Sequence, residues 1–324
     1  MKTVVAVQDL VDLEIRPDAL AERFRELTRT GVEALAAGPL VTVACPACGH
    51  SGATSAYTIF GLSYVECSRC GSLYVSPRPD AATLALWAQT SPAAVFWREE
   101  ILGGTMPARR AKLMRPRAEW VADGLAEHRP GPVRGLDLHS SLPVMADEIR
   151  HRLPMGSHLE SADIHGAWPD GPFHFVTAFD VFDRAFDLRA LVQRAADALD
   201  PGGLLFLTAP NRDGFDIETL GDRAPALMPP DKLNVLSLAG FSSLFSGPVW
   251  SVIELSTPGM FDVETVRQTI AATPDAEWPR AIRSLTVEST PEARLEFQAY
   301  LQRHRRTSFA RLLVQRSPIS EVRR

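Results

Sequence analysis

Asp187-Leu-Arg-Ala-Leu-Val-Gln-Arg-Ala-Ala-Asp-Ala-Leu199 runs directly into Asp200-Pro-Gly-Gly-Leu-Leu-Phe-Leu-Thr-Ala209. The first half sets Leu188, Leu191, Val192, Ala195 and Leu199 on one helical face, with Asp187 placed to cap the N-terminus. Pro201-Gly202-Gly203 then turns the chain into an apolar strand, Leu204 to Ala209. Upstream, Arg134 to Leu138, His158 to Ile164 and Phe173 to Phe179 read as further short strands, and Val144 to His151 as a helix whose first turn tolerates Pro143. Downstream come strands at Val249 to Leu255 and Phe309 to Gln315, with helices between them that include Glu292 to Arg303. Short apolar runs alternating with helices signal an α/β fold with a mostly parallel sheet.

Pro130-Gly131-Pro132 marks the upstream boundary of this unit. Before it, Ala81 to Gln89 and Ala108 to His128 are expected helices, and Ser76-Pro77-Arg78-Pro79 is an extended connector because each proline restricts its predecessor. Asp18 to Ala37 reads as an amphipathic packing helix stopped by Gly38-Pro39. The organisation expected is an N-terminal helical segment (1–44), a cysteine-bearing unit (45–80), a helical connector (81–130), the α/β domain (131–260), and C-terminal helices with a final strand (261–324).

All four cysteines fall in one window, Cys45-Pro-Ala-Cys48-Gly and Cys67-Ser-Arg-Cys70-Gly. Two residues between cysteines let one tight turn aim both sulfurs at one ion, and Gly49 and Gly71 supply the left-handed positions such turns favour. Four thiolates close a tetrahedral shell, so Cys45, Cys48, Cys67 and Cys70 are the expected ligands of a structural zinc ion with no open position for catalysis. Two disulfides or four free thiols are the alternative. Thr54 to Phe60 and Ser63 to Glu66, bent at Gly61, are expected to form the short strands between the knuckles.

The 324 residues are 45% hydrophobic, 23% charged and 8% aromatic, which suits two or three globular units and argues against bulk disorder. A net charge of −5 without interleaved basic and aromatic residues argues against nucleic acid; Arg303 to Arg306 reads as a solvated helix end. No run is long and apolar enough for a membrane span, and the first residues lack a secretory h-region, so a cytoplasmic location is the expectation.

The order of cysteine pairs, Ser76-Pro77-Arg78-Pro79, helical connector, and an α/β unit ending in Asp200-Pro201-Gly202-Gly203-Leu204-Leu205 resembles the class I S-adenosylmethionine-dependent methyltransferases that carry an N-terminal zinc ribbon. The resemblance extends through Phe96 to Glu100, Arg115 to Ala118, Pro229-Pro230-Asp231-Lys232-Leu233-Asn234, Thr257-Pro258-Gly259 and Phe297 to Gln315. It implies a Rossmann-like, seven-stranded-type sheet closed by an antiparallel last strand. It also implies S-adenosylmethionine as cofactor, with Asp137, Asp163 and Asp180 on the cofactor side and His139, His165 or Lys232 nearest the chemistry.

Against that pattern the pocket departs in four places. The first strand runs into His139-Ser140-Ser141-Leu142-Pro143, where the family has the glycine-rich turn that lets backbone approach the cofactor. Only His165 to Pro172 separates the second strand from the next, too short for a crossover helix and a third strand, so part of the adenine wall is expected to be missing. Asp183-Arg184 stands where relatives usually have Glu-His, and Asp231-Lys232 where they have Glu-His again. An ordinary lysine is protonated at neutral pH and a poor general base. The sequence therefore points to a methyltransferase-like protein with a degraded cofactor pocket, a binding, scaffolding or regulatory subunit paired with an active relative. The alternative is an active enzyme acting on a sugar or small metabolite of natural-product or surface-polysaccharide biosynthesis. A second metal on His139, His165 and His174 is a third reading, for which the spacing matches no known motif.

Overall fold

The structure, a computed structural model, describes residues 12–140 and 142–318. Ser141, in the turn that replaces the glycine-rich loop, lies outside them. A four-stranded antiparallel sheet carries the cysteine knuckles: β1 (Ala53–Ile59), β2 (Leu62–Cys67) and β3 (Leu73–Val75), completed by β8 (Asn234–Val235), which comes from 160 residues further along the chain and pairs Asn234 with Tyr74. The main sheet contains β4 (Arg134–His139), β5 (His158–Asp163), β6 (Phe173–Phe179), β7 (Leu199–Pro210), β9 (Trp250–Ser256) and β10 (Phe309–Arg316) in the order β5-β4-β6-β7-β10-β9.

β4 pairs in parallel with both β5 and β6, and β6 with β7, whereas β10 is antiparallel to both its neighbours. This is a Rossmann-like α/β sheet of the class I methyltransferase type, with six strands among the described residues in place of the seven implied. The missing one is the third: the eight residues from His165 to Pro172 return the chain directly from β5 to β6, leaving β5 at the sheet edge. That edge is blunted. In a parallel pair alternate residues bond to the same side, and since His158 N–H and Ile164 N–H turn inward to β4, Leu159 and Asp163 face outward. The carbonyl of Leu159 accepts long bonds from the Arg150 guanidinium (3.4 Å), and that of Asp163 accepts from Gly166 N–H (3.0 Å) and Trp168 Nε1 (3.2 Å).

The helix from Leu188 to Ala198 forms as its pattern predicts, Asp187 accepting from Ala190 N–H. Asp200-Pro-Gly-Gly is not a free turn, however: it is a bulge inside β7, where the register with β6 jumps from Phe173/Leu199 to Phe175/Leu204. Gly135 in β4 is required by packing, since a Cβ there would lie 2.1 Å from the Phe175 ring. The connector is a helical run from Pro92 to His128 broken by two π turns, and the first α/β helix spans only Ala146–Arg150. No helix among the described residues is long and apolar enough to cross a membrane. Cys45, Cys67 and Cys70 share one apolar cluster with Leu136, Val176 and Phe241, so the cysteine knuckles and the main sheet are parts of one core.

Candidate functional site

Chain order reverses between β4 and β6, with β5 on one side and β7 on the other, and in open α/β sheets ligands bind outside the strand ends at such a switch point. A cleft of about 270 Å³, open to solvent, lies there. Ser140 and His165 line it from the ends of β4 and β5, Arg184 from beyond β6, and Pro230 and Asp231 from the segment before β8; Leu84, Trp87 and Ala88 of the helix Ala81–Thr90 form an apolar wall. Its enclosed part is only about 20 Å³, room for about one water molecule.

Each carboxylate offered to a cofactor has a partner inside the chain. Asp137 is 2% exposed and accepts from Thr177 Oγ1 at 2.5 Å; burial, only partly countered by that bond, pushes its pKa up to about 7. It belongs to the sheet interior and not to the cleft. Asp163 stands at the end of β5 as expected, but its Oδ1 accepts from His165 N–H at 2.8 Å, and His139 Nδ1 lies 4.0 Å from its other oxygen. Burial lowers the His139 pKa, with Asp163 opposing, and its Nδ1 has no hydrogen-bond partner. Asp180 adopts a left-handed backbone (φ 55°) and is held by Arg117 Nη1 (2.7 Å) and Thr208 Oγ1 (2.9 Å). Burial acts to raise its pKa, but the charges of Arg117 and Lys232 prevail and hold it near 2.

The substituted dipeptides meet across the cleft and pair crosswise. Lys232 Nζ bonds Asp183, whose side chain is fully buried, and Arg184 lies 3.9 Å from Asp231. Burial would lower the Arg184 pKa, but Asp231, Asp183 and Asp180 together raise it. Lys232 therefore serves an ion pair with Asp183. His139 and His165 sit at neighbouring strand ends, whereas His174 lies at the opposite end of the sheet, its Nδ1 accepting from Arg134 N–H at 2.7 Å. That separation removes the three-histidine metal reading. Trp168, in the shortened segment, packs on the core with Arg194 over its ring at 3.9 Å. Arg117 and Thr208 were not singled out from sequence: neither lies near Asp180 in the chain, and no spacing marks them.

The cysteines converge. All four Sγ atoms lie within 4.8 Å of one another, with Cys45–Cys70 at 3.6 Å and Cys48–Cys67 at 3.5 Å. Zinc–sulfur bonds of about 2.3 Å in a tetrahedron set sulfurs about 3.8 Å apart, so the quartet fits zinc, whereas a disulfide needs about 2.05 Å. Gly49 (φ 71°) and Gly71 (φ 70°) donate back to the carbonyls of Cys45 and Cys67, which is the tight turn the spacing predicts. Burial pushes the Cys45 and Cys70 thiols up, so four thiolates gather there only with a cation to balance them. Among the described residues this is the sole cluster able to hold a metal ion.

The family profile described as "Methyltransferase domain" matches residues 86–247, half of the chain. No curated protein matches in sequence. Among solved structures, the plantazolicin methyltransferase BpumL in complex with SAH is 12% identical, covering 72% of this chain and 94% of that one at a TM-score of 0.44. A Galdieria sulphuraria protein assigned as a sarcosine dimethylglycine methyltransferase is 16% identical, covering 67% and 88% at 0.40. Likenesses at these scores bear on neither ligand nor partner.

Proposed function

The chain belongs to the methyltransferase-domain family, and from that premise we propose a member that has lost ordinary S-adenosylmethionine binding and works in the cytoplasm as a zinc-stabilised binding, scaffolding or regulatory subunit, paired with an active relative. The methyltransferase fold implies use of S-adenosylmethionine; the residues of this cleft do not fit it in the usual mode. One observation carries the reading: Asp137, Asp163, Asp180 and Asp183 are each already engaged by Thr177, the His165 amide, Arg117 with Thr208, and Lys232. At Asp180 and Asp183 the partners are charged, and a ligand that took their place would separate a pair at the cost of desolvating what is left behind. The missing third strand and the glycine-free turn add to this.

Zinc would be held by Cys45, Cys48, Cys67 and Cys70, where it supplies cohesion to the fold and takes no part in chemistry. The competing reading, an active methyltransferase on a sugar or small metabolite, draws on Ser140, His165 and Asp163 bordering or adjoining an open cleft at the switch point. Protein purified from its own host separates the two. After denaturation, mass spectrometry should find about one zinc per chain and no S-adenosylmethionine or S-adenosylhomocysteine; either nucleoside near one equivalent would overturn the proposal in favour of the enzyme.

A further inference from the structure

Two motifs far apart in the sequence, Ser76-Pro77-Arg78-Pro79 and Pro229-Pro230-Asp231-Lys232-Leu233-Asn234, are brought together by the fold. Arg78 is fully buried, with 0% of its surface exposed. Its Nε donates to Val75 O (2.7 Å) and its Nη1 to Asn234 Oδ1 (3.0 Å) and Phe186 O (3.3 Å), while Nη2 has no hydrogen-bond partner. Asn234 in turn donates to Phe182 O (2.9 Å) and Ala185 O (2.8 Å), on either side of the Asp183-Arg184 pair.

The same short segment is tied to the cysteine-bearing sheet along its length. Tyr64 Oη donates to Lys232 O at 2.5 Å, Val75 N–H to Leu233 O at 2.9 Å, and Ser237 donates twice, its hydroxyl to Cys70 O and its amide to Ser72 Oγ at 3.1 Å. Pro230 and Asp231, which form the far wall of the cleft, are thus hung on the knuckle sheet, while Leu233 N–H donates to Asp183 O (2.7 Å) and Arg212 N–H to Leu236 O (2.8 Å) on the side of the main sheet.

A buried guanidinium whose bonds all go to neutral groups is costly unless a negative charge lies close. Among the described residues no carboxylate pairs with Arg78. Burial lowers its pKa to about 10, against the opposing charges of Tyr64, Tyr74, Asp187 and Cys45. The geometric tie to the cysteines runs through the backbone: Arg78 N–H donates to Val41 O (2.9 Å) and Val41 N–H to Arg78 O (2.7 Å), on the segment that leads into Cys45, while Ser237 Oγ donates to Cys70 O.

We propose that Arg78 is a positioning residue that couples the metal-loaded cysteine quartet to the cleft, so that metal occupancy fixes the 230–237 strap and with it the cleft's far wall. This rests on the reading of the quartet as a zinc site. Filling the quartet fixes the Cys45 and Cys70 knuckles, to whose chain Arg78 and Ser237 are bonded; Arg78 holds Asn234, and Asn234 holds the turn bearing Asp183 and Arg184.

Hydrogen exchange read by mass spectrometry tests it on the full chain, with zinc counted in parallel. Chelation should speed exchange of the Leu233 and Ser237 amides about tenfold or more while Leu205 and Leu207 of β7 stay protected, the pattern of local opening. Arg78→Lys, which keeps a charge but not the fork, should reproduce the speeding at 233–237 with zinc still bound. Three results would overturn the coupling: strap amides that ignore chelation in a chain that does bind zinc, strap and β7 amides that open together, or Arg78→Lys exchanging like the wild type. A chain that binds no zinc at all would overturn the metal reading itself and the coupling with it.

Discussion

The cysteine quartet and the strand-end cleft are both places where polar side chains from distant parts of the sequence converge, yet they converge to opposite ends. In the quartet four thiols approach with no internal cation to satisfy them, and the geometry asks for an ion. In the cleft the charges meet in balanced pairs, Asp183 with Lys232, Asp231 with Arg184, Asp180 with Arg117, and what is left over is single buried atoms, Asp183 Oδ1, Arg184 Nε and His139 Nδ1. Convergence alone does not make a site; what matters is whether the converging groups leave each other's demands unmet.

The contrast can be broken most forcefully at the quartet. Cys67→Ser should lose the metal and, because structural zinc sites contribute on the order of 10 kcal/mol to small folds, should abolish cooperative unfolding of the knuckle sheet. Calorimetry retaining the wild-type transition would mean the cysteines do not carry a metal. Next in size, Lys232→Ala strands the fully buried Asp183 carboxylate, and removing one partner of such a pair costs about 3–5 kcal/mol. Denaturant melts should also register partial recovery in Lys232→Ala combined with Asp183→Asn; an unchanged single variant would say that the pair is ornamental and Lys232 free to act as a base.

A smaller effect of opposite sign is expected at Asp137. Its folded pKa, raised to about 7 chiefly by burial, exceeds the unfolded value near 4, so the native state binds the extra proton and stability falls as pH rises across that window. Asp137→Asn should flatten the fall and be the more stable protein at pH 7.5 by roughly 1–3 kcal/mol. Melts of the two proteins that run parallel from pH 4.5 to 7.5 would contradict this. The same sign holds for Asp216 and Asp262, whose pKa values burial raises where both accept from Ser308. Smallest of all, restoring glycine at Ser140 and Leu142 should leave S-adenosylmethionine binding undetectable, because the turn is only one of the obstacles; binding gained by that change would make the loop the whole cause.

Much of this was legible in the sequence, for physical reasons that differ by element. The cysteine spacing and the capped helix at Asp187 are local signals, complete within a few residues, and the structure has both as read. The shortened sheet was legible from arithmetic, since the stretch from His165 to Pro172 has no room for another strand. β3 and β8 were not legible, because three and two residues show no periodicity and their pairing spans 160 positions. Nor were the partners of Asp180 and Lys232, which depend on tertiary approach. His174, second in the strand Phe173 to Phe179, opens β6, whereas His139 and His165 stand where β4 and β5 end, so its separation from them was legible too. Arg78 was read as part of a connector; that an arginine would be wholly buried has no signature in composition or spacing.

The central claim is that this methyltransferase fold no longer holds the family's cofactor, and calorimetric titration of the zinc-loaded protein with S-adenosylmethionine and S-adenosylhomocysteine tests it most directly. The account predicts no saturable heat from protein shown to be folded by its melting transition. Stoichiometric binding of either ligand at micromolar affinity would contradict it.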